Sequence, residues 1–193
     1  MRKIILASSS PRRAELLQQA GYDFEVVPPD AWAECGICSR ETPPEMVARL
    51  AAQKAENVVA KVAGGLVIAC DTVAEVVGQV LGKPASREHA DQMLRTLSGR
   101  EHRVYSGLVL WDADTGHRSV DVEVSELRMD HLTDSQLREY LDSGQWEGKA
   151  GAFGYQDRLG WVRLVRGSES NVVGLPMELL RRRLDERSAA EGN

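Results

Sequence analysis

Apolar and polar positions along the chain switch between two periods, one typical of strands and one of helices. Residues 3–7 form a short apolar run that predicts a strand. Three serines stop it, and a helix is predicted over 11–20, with Ser10 as N-cap, Pro11 in the first helical position and Gly21 as the stop. "FEVVP" predicts a short strand, and residues 28–42 read as a long loop. Met46, Val47, Leu50, Ala51 and Val58 recur at helical spacing and predict a helix over 43–62. Residues 66–77 read as a strand, with "GQ" as a hairpin turn before "VLGKP". A helix capped by Ser86 is predicted over 86–99. "HRVYSGLVLWDA" and "HRSVDVEVSELRM" predict two long strands joined by "DTG". "TDSQLREYLDSG" predicts a capped helix, "LGWVRLVRG" a strand and "LPMELLRRRLDER" a closing helix, with residues 188–193 as a frayed tail. Strands and helices do not alternate strictly, so an all-parallel sheet is not supported. With no repeat or linker in view, the expectation is one mixed α/β domain over residues 1–193.

Composition narrows the classes of function. Hydrophobic residues make up 42% of the 193 positions and charged residues 27%, a globular balance. A formal net charge of -5 argues against a broad phosphate-tracking surface, and 5% aromatic residues argue against a stacking platform for single-stranded nucleic acid. No apolar run has the length of a bilayer span. The start, "MRKIILASSSPRR", is too short in its apolar part for a secretory signal, and the expectation is a cytoplasmic protein. Cys35 and Cys38 form a C-x-x-C, but only Cys70 is left to complete a metal site, so reduced, unpaired thiols are expected.

Several stretches carry candidate chemistry. Arg12 and Arg13 open a helix whose Leu16 and Leu17 share their faces, so both guanidiniums lean toward the body of the protein. Buried-side guanidiniums call for a planar anion, either a phosphate or an internal carboxylate. Asp71 interrupts the apolar run "LVIACDTV": it has a partner, a metal or a catalytic duty, or else the strand ends there and it faces water. "GQVLGKP" is not a Walker A loop, because the glycine spacing is one residue short and Pro84 replaces the magnesium-binding hydroxyl. Lys83 remains a candidate phosphate contact, while Lys54 reads, on spacing alone, as a solvated lysine. The glycines of "GKAGAFGYQD" suggest a backbone that approaches something closely. His89, His102, His117 and His131 have no metal-ligand spacing and read as surface residues.

Together, "LASSSPRRAELL", "RLAAQKA", "CDTV", "LGKP", "LSGREHRVYSGLVL", "KAGAFGYQ" and "NVVGLP" occur in the order seen in the Maf family, which the chain resembles from residue 5 to about 180. That resemblance implies a nucleoside triphosphate pyrophosphatase, cleaving between the α and β phosphates. It also implies a mixed, elongated sheet flanked by helices, similar to the inosine triphosphatase fold, in two lobes with a central cleft. Matching motif positions imply that Ser8, Ser10, Arg13, Lys54 and Lys83 bind phosphate and that Asp71 is catalytic. They imply a divalent cation (Mg²⁺, Mn²⁺ or Co²⁺) held by Glu34 and Asp71, although "AECGIC" departs from the usual flanks of that glutamate. Arg12, Thr72 and Gln156 match the selectivity positions of the branch acting on dTTP and UTP. A homodimer is implied as well. Asp157 and Arg158 stand where the family often has a glycine, which implies a base pocket of different shape. A pyrophosphatase for 7-methyl-GTP or 5-methyl-UTP, and a non-catalytic binder regulating cell division, are the alternatives.

Overall fold

The structure is a computed structural model that describes residues 3–34, 41–157 and 159–191. Its elements are β1 (Ile4–Ala7), α1 (Pro11–Gln19), β2 (Phe24–Val26), α2 (Pro43–Val59), β3 (Leu66–Val76), β4 (Gln79–Leu81), α3 (Arg87–Leu97), β5 (Glu101–Asp112), β6 (Arg118–Met129), α4 (Asp134–Asp142), β7 (Val162–Arg166), α5 (Glu169–Val173) and α6 (Met177–Glu191). Short 3-10 turns lie at Ala31–Glu34, Ala150–Ala152 and Tyr155–Asp157. The strand order is β2-β1-β3-β5-β6-β7, with β4 paired to β3. β1 runs parallel to β2 and β3, whereas β3–β4 and β6–β7 are antiparallel, so the sheet is mixed as expected.

By its contacts the chain divides into two compact units. One comprises Met1–Asp71, Ser106–Glu123 and Gly174–Asn193, the other Thr72–Tyr105 and Val124–Val173. In the first unit, alternate residues of β1, β3 and β5 feed opposite faces, the period-2 rule of a strand. Ile4, Leu6, Ile68, Leu108 and Leu110 pack with Leu17 of α1 and Leu180 of α6. Ile5, Val67, Ala69 and Val109 pack instead with Ala51, Ala55 and Val58 of α2. The sheet there is covered on both sides. In the second unit Leu94 and Leu97 of α3, Leu137 and Tyr140 of α4, and Phe153 cluster on Val104, Leu127 and Met129.

Four local expectations change. The hairpin turn falls at Val77 and Gly78, both at positive φ (+52° and +78°), one residue before "GQ". Such a pair suits a tight antiparallel hairpin, and a valine hides it from a glycine-based search. α2 ends at Val59 and not at residue 62, and the chain reverses through Gly65 at φ +108°, where a Cβ would meet the Lys3 carbonyl. α6 continues through residues 188–191, where Ser188 Oγ donates to the Leu184 carbonyl. His102 is not a surface residue: it is 3% exposed within β5, edge-on to Phe153.

Candidate active site

In the first unit, candidate residues gather at the carboxyl end of β1. Parallel pairing sets Ala7 opposite Ala69, so Ser8 leaves its strand beside the segment that leads to Asp71. Carboxyl ends of parallel strands are where ligands bind in α/β sheets. Ser8 is buried, and its Oγ accepts the Ser10 amide at 3.1 Å and Arg13 Nη1 at 3.2 Å. Arg13 Nε donates to the Gly174 carbonyl at 2.7 Å. That same carbonyl accepts the Cys70 thiol at 3.2 Å. Arg13 is thereby tied to the residue next to Asp71. Neither the neighbourhood of Cys70 nor the carbonyl of Gly174 was signalled by residue type. α1 has no acidic residue in its first turn and no side-chain cap from Ser10, so the positive partial charge of its start is not offset from within its own first turn. Arg12 and Arg13 are half-buried there.

Lys54 is the largest departure from spacing-based expectation. Its side chain is 4% exposed, and Nζ donates to Asp71 Oδ1 at 2.5 Å, with Asp71 14% exposed. β3 does not end at Asp71: it runs on to Val76, so this carboxylate sits within a strand and does not simply face water. α2 is placed for the pairing by two contacts. Gly107 on β5 lets the Val47 carbonyl come so near that a Cβ would overlap it, and Lys54 lies two helical turns beyond Val47 on the same face. One turn further, Asn57 Oδ1 accepts the Asp30 amide at 2.9 Å and Nδ2 donates to Asp30 Oδ2 at 3.0 Å, anchoring the segment that leads to Glu34. The side chain of Glu34 lies outside the described residues, as do Cys35, Cys38 and Arg158.

The remaining candidates belong to the second unit. Thr72 is half-buried on β3, Lys83 is exposed just after β4, and Gln156 is exposed on the Tyr155–Asp157 turn. One loop serves the last two: the Gly151 amide donates to the Gly82 carbonyl at 3.0 Å, beside Lys83, and the loop continues to Gln156. Gly151 and Ala152 both take positive φ (+69° and +61°), and the alanine stores local strain there. Among the described residues there is no cluster of three His, Cys, Asp or Glu side chains for a metal. The Asp71 carboxylate is the kind of hard oxygen donor that a divalent cation takes.

Comparison with known proteins sets this geometry in context, beginning with the class. The fold is shared with a HAM1 protein from Coxiella burnetii, at a TM-score of 0.51 and 16% identity, over 96% of this chain and 100% of that one. The chain belongs to the Maf-like protein family, whose description matches residues 3–187. It is 60% identical to a dTTP/UTP pyrophosphatase of Rhodopirellula baltica over 92% of this chain and 78% of that protein. It is 45% identical to a dTTP/UTP pyrophosphatase of Carboxydothermus hydrogenoformans, over 95% and 98% of the two chains.

Proposed function

We propose that the protein is a nucleoside triphosphate pyrophosphatase that hydrolyses dTTP and UTP to the monophosphate and pyrophosphate. The observation that carries this reading is its 60% identity, across most of the chain, to a protein of that activity. The first unit supplies fitting parts. The positive start of α1 and the side chains of Ser8, Ser10 and Arg13 suit a phosphate chain, and Lys83, on the second unit, is a further candidate phosphate contact in this reading. Asp71 is the candidate general base for the attacking water, and Lys54 holds its carboxylate in one orientation. Fixed positive groups stabilise charge that builds on the phosphoryl oxygens. A divalent cation held by Asp71 and Glu34 would supply Lewis-acid polarisation of the phosphate oxygens when bound. Thr72, Arg12 and Gln156 are the selectivity residues in this reading. The Gln156 amide offers one donor edge and one acceptor, which matches a pyrimidine edge. The same reading has the enzyme act in the cytoplasm, as a homodimer and without nucleic acid. Among the described residues no helix is long and apolar enough to cross a membrane.

A substrate panel tests it. Purified protein is given dTTP, UTP, CTP, GTP and 7-methyl-GTP with Mg²⁺ or Mn²⁺, and pyrophosphate and orthophosphate are measured separately. Fastest pyrophosphate release from dTTP and UTP is expected. Orthophosphate in place of pyrophosphate, or a clear preference for 7-methyl-GTP, would overturn the assignment.

A further inference from the structure

The loop that carries Gln156 is closed by a small, largely buried network of polar side chains. Asp157 Oδ2 accepts Lys149 Nζ at 2.5 Å and the Tyr140 hydroxyl at 3.1 Å. That hydroxyl in turn accepts the Gly154 amide at 3.2 Å, and the Asp157 amide donates to the Gly154 carbonyl at 3.2 Å. The ion pair is largely withdrawn from water, with Lys149 12% and Asp157 15% exposed. Gly154 lies flat against it: a Cβ there would overlap both Asp157 Oδ2 and Lys149 Nζ. Trp161 packs edge-on to Tyr140, with ring centroids 5.1 Å apart. A buried ion pair contributes little net stability compared with apolar packing, and its best-attested use is to specify one arrangement.

We propose that Asp157, with Lys149 and Tyr140, is a positioning residue for substrate selectivity, holding the backbone of Gln156 in the orientation that reads a pyrimidine edge. The proposal rests on the pyrophosphatase reading. A glutamine amide discriminates only when its backbone is held, because a free one can turn to satisfy competing bases. The network takes no part in bond cleavage, so its loss acts on recognition and not on the chemical step.

The test is steady-state kinetics on dTTP, UTP and CTP for the wild type, Asp157→Ala, Lys149→Met, the double variant and Tyr140→Phe, with Asp157→Asn as the conservative rescue. Asp157→Ala is expected to raise KM for dTTP about tenfold, keep kcat within about threefold and lower the dTTP-over-CTP preference about tenfold. The double variant should be no worse than Asp157→Ala, because the two side chains act as one unit. Asp157→Asn should recover most of the preference. Tyr140→Phe removes one hydroxyl without emptying a core position, so it reports on the network even if Asp157→Ala fails to fold. An active wild type with unchanged KM and preference in Tyr140→Phe, and in Asp157→Ala where it folds, overturns the positioning role alone. Loss of kcat with KM unchanged overturns it too. A wild type that releases no pyrophosphate from any nucleotide overturns the reading on which it rests.

Discussion

The Lys54–Asp71 pair concentrates the chemistry of the first unit in two side chains. Removing either leaves a buried charge without its partner, which costs about 3–5 kcal/mol in known cases. Lys54→Met is therefore expected to lower stability by about that amount in urea denaturation and to reduce turnover at least about a hundredfold. Asp71→Asn keeps the shape and a hydrogen-bond acceptor, so folding should persist. Pyrophosphate release should fall by about two to four orders of magnitude while nucleotide binding, read by calorimetry, survives. Unchanged turnover would remove Asp71 from the reaction. What the sequence showed at this scale was the oddity of Asp71 inside an apolar run. Lys54 gave no such sign, because its burial depends on a strand 17 positions further along the chain.

Elements place these side chains, and their contacts are testable apart from the chemistry. Gly107→Ala would press a methyl group into the Val47 carbonyl and lift α2 from β5. Overpacking of this kind costs about 1–3 kcal/mol, and because Lys54 rides on the same helix face, activity should fall more than stability alone explains. Thermal unfolding and kcat on the same variant separate the two effects. At the far end of β5, Asp112 is 1% exposed and organises the hairpin into β6. Its Oδ1 accepts the Asp114 and Thr115 amides at 3.0 and 3.1 Å, and its Oδ2 accepts Arg187 of α6 at 3.0 Å. Asp112→Ala strands the arginine and the two amides, so a loss of about 3 kcal/mol is expected, with KM for substrate unaffected. Most of these elements were legible in the periodicity: the strands at 3–7 and 66–77, the helix capped by Ser86 and the long hairpin all appear. α5 and the two short turns within "KAGAFGYQD" did not. Their five and three residues carry no full apolar period, and their shape follows from contacts such as Lys149 with Asp157.

At the scale of the whole molecule, the burial of His102 bears on acid stability. His102 is 3% exposed, and burial pushes its pKa down from 6.5 to about 4. The unfolded chain therefore binds this proton more readily than the folded one. Stability is at its full value above about pH 6.5 and falls as the pH drops from there to about 4, by an amount on the order of 3 kcal/mol. Below the folded pKa the loss from this group is complete. His102→Leu should flatten that limb in denaturant titrations at pH 7 and pH 5; an unchanged slope would assign it to the carboxylates instead. The family and the mixed α/β class were readable from the chain alone, because local periodicity and short motifs are properties of neighbouring residues. Which charges lose water and find one another, as Lys54 and Asp71 or Lys149 and Asp157 do, was decided only by tertiary packing. Burial and pairing depend on segments far apart in the chain, and no local pattern records them.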